Sequence, residues 1–231
     1  MRSRLLSLFL LLWGSTLAQE GKVYTVNSIR DNKEELIRDA YRYSAFRAGV
    51  VLFKDGVATK ALLNYHRLYD QVVFISPKGE TLALLNPETL KYVAIGADTF
   101  YVQDRGYLER LTHYAGINLA RKDAILLTGY ERKGAYGTYS ATTSTESKLY
   151  HSGDGRTMTK LQVDENAVFK AKSRYFLSDE YHNFFPAVKK NFYTLFKSRE
   201  KRLKEYLDTH KVNFSRGEDL LQLIAHLQEG D

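Results

Sequence analysis

From Pro77 onward the chain is interrupted about every eight to twelve residues by groups that reverse a backbone, leaving no room for a helix of normal length between them. The breaks are Pro77-Lys78-Gly79, Asn86-Pro87, Gly96-Ala97-Asp98, Asp104-Arg105-Gly106 and Ala115-Gly116, with Lys54-Asp55-Gly56 ahead of them. Between them lie short runs rich in Val, Ile, Leu, Tyr and Phe. The spacing predicts an antiparallel sheet whose neighbours join by tight turns. Val72-Val73-Phe74-Ile75 and Tyr92-Val93-Ala94-Ile95 are continuously apolar, which predicts strands covered on both faces. In Thr99 to Val102, Phe100 and Val102 share one face while Thr99 and Tyr101 share the other.

A second β stretch is expected over Ile117 to Tyr130. A third runs from Thr157 to Leu177, with Asp164-Glu165-Asn166 as its reversal. Between them, Gly137 to Ser147 is so rich in Ser and Thr that it reads as a mobile loop. Asn32 and Glu35 have N-cap and N3 spacing, and Leu36, Ile37, Ala40 and Tyr41 share one face of a short helix. At the other end, Val188, Phe192, Leu195 and Phe196 recur at helical spacing behind Pro186, which suits a first turn. Leu203, Tyr206 and Leu207 mark a second helix with Ser198 as its N-cap. Ser215 and Glu218 form a capping box ahead of Leu220, Leu223, Ile224 and Leu227. The fold class expected is α+β: an antiparallel curled sheet, or a small barrel-like meander, over residues 46–178. A segment with one helix (19–45) precedes it and a basic helical segment (184–231) follows.

The first residues read differently. Arg2 and Arg4 precede the apolar run Leu5 to Trp13, too short for a membrane anchor, and Thr16-Leu17-Ala18 offers the small residues of a cleavage site. Residues 1–18 are expected to be a signal peptide, giving an exported, periplasmic or extracellular chain from Gln19, with no transmembrane segment after cleavage. The absence of cysteine excludes disulfides, thiol catalysis and thiolate metal sites, so stability must come from an ordinary core. Loss of Arg2 and Arg4 lowers the formal charge from +7 to +5. That whole surplus is matched between Pro186 and Lys211, where eight cations face three carboxylates. Lys189, Lys190, Lys197, Arg199, Lys201, Arg202 and Lys204 are therefore the candidate residues for an anion or anionic surface. The interleaved Glu200, Glu205 and Asp208 read equally as one side of a solvated helix face.

Catalytic motifs are missing. The six histidines are scattered, and neither H-x-H nor H-E-x-x-H occurs; Asp179 and His182 sit three apart, as a metal pair might, but a solvated surface pair has the same spacing. No G-x-S-x-G elbow, Walker motif or dinucleotide motif is present. Ser76-Pro77-Lys78 reads as a hairpin turn, Gly134-Ala135-Tyr136-Gly137 as a turn with basic neighbours, and Ser152-Gly153-Asp154-Gly155 as another. Glu109, Asp123 and Glu131 could supply the carboxylates of a glycan- or peptide-directed hydrolase, but outward-facing charges on a half-exposed sheet explain them as well. The seventeen tyrosines suit either a sugar-stacking surface or a sheet that buries each ring and keeps its hydroxyl wet.

Two stretches carry a resemblance. Phe53-Lys54-Asp55-Gly56, Ala61-Leu62-Leu63-Asn64-Tyr65 and Val73 to Leu82, with the tail Lys189-Lys190-Asn191-Phe192, Phe196, Tyr206, Phe214 and Asp219-Leu220, resemble a family of uncharacterised exported proteins of Gram-negative bacteria. The resemblance implies a periplasmic or envelope location, no activity and no functional residue. Together these readings lead to the expectation of a non-enzymatic binding or structural module without a cofactor. Its partner would be an envelope protein, a glycan or an anionic surface rather than nucleic acid.

Overall fold

The computed structural model describes residues 21–26, 33–104, 106–133, 139–147 and 165–229. Along the chain run β1 (Val23–Val26), α1 (Lys33–Ala40), β2 (Arg47–Phe53), β3 (Ala58–His66), β4 (Gln71–Ile75) and β5 (Thr81–Ala83). Then come β6 (Leu90–Ile95), β7 (Asp98–Gln103), β8 (Gly106–Tyr114), β9 (Ile117–Lys133), β10 (Tyr139–Ser147), β11 (Glu165–Ser178) and β12 (Phe184–Pro186). Three helices close the chain: α2 (Lys189–Leu195), α3 (Glu200–Thr209) and α4 (Gly217–Gln228). All strands join one antiparallel sheet in the order β1-β11-β9-β8-β7-β6-β2-β3-β4-β5, with β10 added to β9 and β12 to β11. The α+β class holds, and the sheet is curled but open. The barrel-like alternative fails because its outermost strands, the three-residue β5 on one side and β1 and β12 on the other, do not pair with each other.

The turns sit where the sequence placed them, for a steric reason. Ala115 and Gly116, the two residues between β8 and β9, both have positive φ (50° and 80°), as a primed two-residue hairpin turn requires. An alanine is strained there, so Ala115→Asn is expected to raise stability by about 0.5–1 kcal/mol, read from the urea midpoint.

One face of the sheet is buried in three patches. Val51, Leu63, Tyr65, Val93, Ile95 and Phe100 form the first, under the curl of β2 to β7. Leu36 and Ala40 of α1 pack on Tyr24, Ile125, Leu127 and Phe169 in the second. The third places Phe192, Phe196, Leu203, Leu220 and Leu223 on Ile117, Leu119 and Leu177, so the terminal helices cover the sheet. Only one face is covered along β6: Val93 and Ile95 are buried while Tyr92 and Ala94 are half-buried, against the expectation of cover on both faces.

Other expectations are corrected. Tyr139–Ser147 is a strand on β9, since β-branched threonines suit the edge that β9 leaves open beyond β8; Gly137 lies outside the described residues. No reversal occurs at Glu165-Asn166, where β11 is already paired with Arg132 and Glu131; Asp164 is outside the described residues. Pro186 ends β12, and α2 starts after Val188. Ser198 falls inside a 3-10 turn, Lys197–Arg199, and α3 begins after Arg199 with no side-chain cap. The Ser215 box does not form. Asp219 instead accepts the Asn213 amide at 2.9 Å, Asn213 accepts that of Ser215 at 2.9 Å, and α4 begins at Gly217.

Candidate functional site

The predicted cations are carried by three successive elements of the tail. Lys189 and Lys190 open α2, Lys197 and Arg199 sit in the 3-10 turn, and Lys201, Arg202 and Lys204 follow on α3. Leu203 is the buried residue of α3. Helical spacing puts Lys201 and Lys204 on the opposite side together with Glu205 and Asp208, a charge-balanced solvated face. Lys201 reaches Glu205 at 4.0 Å and is 91% exposed.

The polar interior lies elsewhere. Leu119, Arg121, Asp123 and Ile125 alternate onto the inner face of β9. The same register brings Glu109 of β8 opposite Arg121. Glu109 is buried and accepts Arg42 at 2.8 and 3.0 Å and Arg121 at 2.9 Å. Arg121 Nε lies 3.1 Å from Asp123 Oδ2, an ion pair without hydrogen-bond alignment, and Asp123 accepts Ser173 at 2.6 Å. Burial opposes ionisation of Glu109, yet the two guanidiniums outweigh it and hold the carboxyl below its usual range. The outward-facing reading of Glu109 and Asp123 is thereby corrected. Nothing local marks the difference, though the shared parity of Arg121 and Asp123 with Leu119 and Ile125 could have revealed it.

A second buried carboxylate joins this network. Beyond Glu109 towards Gly106, β8 no longer pairs with β9, and the turn between β3 and β4 fills the gap. Asp70, at φ 56°, accepts the Tyr107 amide at 3.1 Å, the Tyr65 hydroxyl at 2.8 Å and Lys122 Nζ at 2.8 Å. The Tyr65 hydroxyl also lies 3.1 Å from the Asp123 carbonyl. Burial, then the Asp70 charge, push the Tyr65 phenol well above its usual range. Tyrosine hydroxyls are therefore not uniformly wet: that of Tyr65 is spent inside, and that of Tyr107 is buried without a hydrogen-bond partner among the described residues. These groups hold the curl together.

The outer face carries a different cluster. Tyr101 of β7 lies 6.4 Å, centroid to centroid, from Tyr92 of β6, 5.6 Å from Phe184 of β12 and 4.6 Å from the His182 imidazole. Tyr101 is buried beneath the others, Tyr92 and Phe184 are half-buried, and His182 is exposed. His182 is held at φ 64° by its turn, in which Asp179 accepts the Tyr181 and Asn183 amides at 3.0 and 2.8 Å and the Asn183 side chain at 2.8 Å. Asp179 is thus a turn-forming acceptor. Among the described residues no three His, Asp or Glu side chains gather as metal ligands. Burial, and the positive charges of His113, Lys91 and Arg110, lower the His182 pKa, partly offset by Asp179. Beside Tyr92 a shallow groove of about 530 Å³ crosses the outer face, lined by Ala48, Val50, Lys60, Leu62 and Ala94 among others.

Ser76 accepts the Gly79 amide at 2.9 Å through its carbonyl and the Glu80 amide at 3.2 Å through its hydroxyl, as a hairpin turn does. Gly134 to Gly137 and Ser152 to Gly155 lie outside the described residues. The arrangement defines an α+β protein on an open antiparallel sheet, with an ion-paired interior and an aromatic outer face. No family model, curated protein or solved structure matches the chain.

Proposed function

We propose that this is an exported, envelope-associated binding module that takes its ligand on the outer face of the sheet without transforming it. The observation that carries this reading is the contrast between the two faces. Inside, Glu109 is buried with both oxygens held by Arg42 and Arg121, so neither a substrate nor an attacking water reaches it, which argues against a hydrolase built on Glu109 and Asp123. Outside, rings and an imidazole meet solvent beside an open groove. A ligand there would meet an aromatic platform set on paired strands, with no ionised pair to dismantle. Export rests on the leader, Arg2 to Ala18, and on the resemblance to exported Gram-negative proteins.

Two measurements test the proposal. The native polypeptide, weighed by mass spectrometry, is expected to begin at Gln19; intact Met1 on cytosolic material overturns export. The purified chain is then screened against soluble envelope oligosaccharides and peptides for both binding and product release. Saturable binding that Tyr92→Ala weakens, with the ligand recovered intact, is the expected result. Release of a cleavage product overturns the non-enzymatic reading.

A further inference from the structure

We propose that the outer-face site binds an extended acidic saccharide, with Tyr92, Phe184 and His182 stacking on the sugar face and Lys91 and Arg110 meeting its carboxylates. The inference rests on the binding-module reading above and assigns its ligand class. Three observations carry it.

The first is ring placement. Tyr101 is a buried floor at 4.6–6.4 Å from three rings that solvent reaches. His182, Phe184 and Tyr92 are tilted 42°, 44° and 69° from the Tyr101 plane, so each offers its own face to the C–H side of a pyranose, and little side-chain freedom is lost on contact.

The second is charge. Lys91 is the extra residue of a bulge in β6, between Tyr92 opposite Leu52 and the buried Leu90 opposite Phe53, which frees it from the inward alternation and sets it beside Tyr92. Arg110 of β8 lies two residues beyond Leu108, the cross-strand partner of Tyr101, and so shares that outer face. Both are exposed, and neither has an ion-pair partner among the described residues. Two carboxylates share the turn of His182: Asp179, which is occupied by three hydrogen bonds within that turn, and the exposed Glu180. Lys91 and Arg110, with Lys60 on the adjoining groove, outnumber them, and the balance favours an anion.

The third is shape. Tyr92 and Ala94 share the outer face of β6, so the aromatic cluster runs directly into the groove over Ala48, Leu62 and Ala94, with Lys60 on its lining. A shallow track with cations along it fits a linear charged polymer better than a small enclosed ligand, which needs a concave pocket. Single-stranded nucleic acid offers rings and charge as well; export, as proposed above, argues against it, and oligo(dT) in the test separates the two.

The test is titration calorimetry of the purified chain with a hexameric galacturonate oligosaccharide. Its methyl-esterified form is the uncharged control, and oligo(dT) is a second polyanion. Binding to the acid form is expected to fall with added salt and to weaken about tenfold on esterification, the effect of losing one good charge contact. Tyr92→Ala and Arg110→Ala are each expected to weaken it about tenfold, with urea midpoints showing that the variants remain folded. Lys201→Ala with Lys204→Ala is expected to leave it unchanged.

His182 supplies a readout that a purely structural role would not move. It faces Tyr101, Lys91, Arg110, His113 and Asp179, and protonates below its usual range. Binding should therefore strengthen between about pH 7 and about pH 5, as the imidazole gains charge while the uronate stays ionised. His182→Asn, which tolerates the left-handed backbone, should flatten that rise. Equal affinity for the ester, or tighter binding of oligo(dT), overturns the acidic-saccharide inference; if Tyr92→Ala still abolishes that binding, the module reading stands. Absence of saturable binding to all three probes also overturns the inference. The module reading falls separately if no ligand in the wider screen responds to Tyr92→Ala.

Discussion

Replacing Asp70 with alanine is expected to lower the free energy of unfolding by roughly 3–5 kcal/mol, the cost of breaking a buried ion pair from one side. Asp70 and Lys122 expose only 6% and 12% of their side chains, so water cannot replace the lost partner. The substitution would take from Lys122 and the Tyr107 amide the acceptor that joins the β3–β4 turn to β8 and β9, while the Tyr65 hydroxyl keeps the Asp123 carbonyl. The site is also sterically closed. A Cβ on Gly106 would stand 2.1 Å from the Asp70 carboxylate, so Gly106→Ala should be destabilising through the same contact. Urea denaturation of Asp70→Ala, Lys122→Met and the double variant measures the coupling. The double variant is expected to lose less than the sum of the singles by about 1–3 kcal/mol. Strict additivity would show that the pair does not hold the turn in place.

Glu109→Gln should cost about 3 kcal/mol and also change how stability depends on pH. The carboxylate is 7% exposed and lies between Arg42 and Arg121, which are 30% and 24% exposed. Partial solvation of the arginines keeps the loss at the lower end of the range for buried pairs. The folded-state pKa of Glu109 is depressed, so its contribution is complete above the unfolded value of about 4.3 and disappears as pH falls through the folded one. Stability of the parent chain should thus decline as acid is added below about pH 5. Glu109→Gln should show a shallower decline. Urea midpoints taken from about pH 7 to about pH 3 read both slopes; parallel slopes would mean that Glu109 is not the linked group.

Much of the sheet is visible in the chain itself. Glycine, asparagine and aspartate mark left-handed turns at Gly56, Gly79, Asn86, Gly96, Asp104 and Gly116, because few side chains tolerate that backbone. Parity is a weaker guide, because both faces of β7 and β9 are buried in places: Tyr101 beside Phe100, and Ala120 beside Leu119. The errors have two causes: a local preference yielded either to a distant partner or to a competing contact a few residues away. Thr142 and Thr143 in β10 read as loop until Tyr130 and Gly129 of β9 are placed beside them. Ser198 and Ser215 look like caps, yet the chain between the helices tightens into a 3-10 turn in one case and is tied to Asp219 in the other.

The candidate site was less legible. Tyr92 and Tyr101 are predicted strand residues, and tyrosine stacking was one reading of their abundance. The seven tail cations, singled out by charge density, are spread over two helices and a turn instead.

Residue identity alone settled where the backbone reverses, because φ and ψ obey sterics felt within one or two residues. It also settled the antiparallel character of the sheet, since connections so short join only neighbouring strands that run in opposite directions. Folding decided which charges went inside and which rings met. Arg42 finds Glu109 across 67 positions and Tyr65 finds Asp70 and the Asp123 carbonyl only after the sheet curls. Curl is a property of many strands twisting together, and no short stretch of residues carries it.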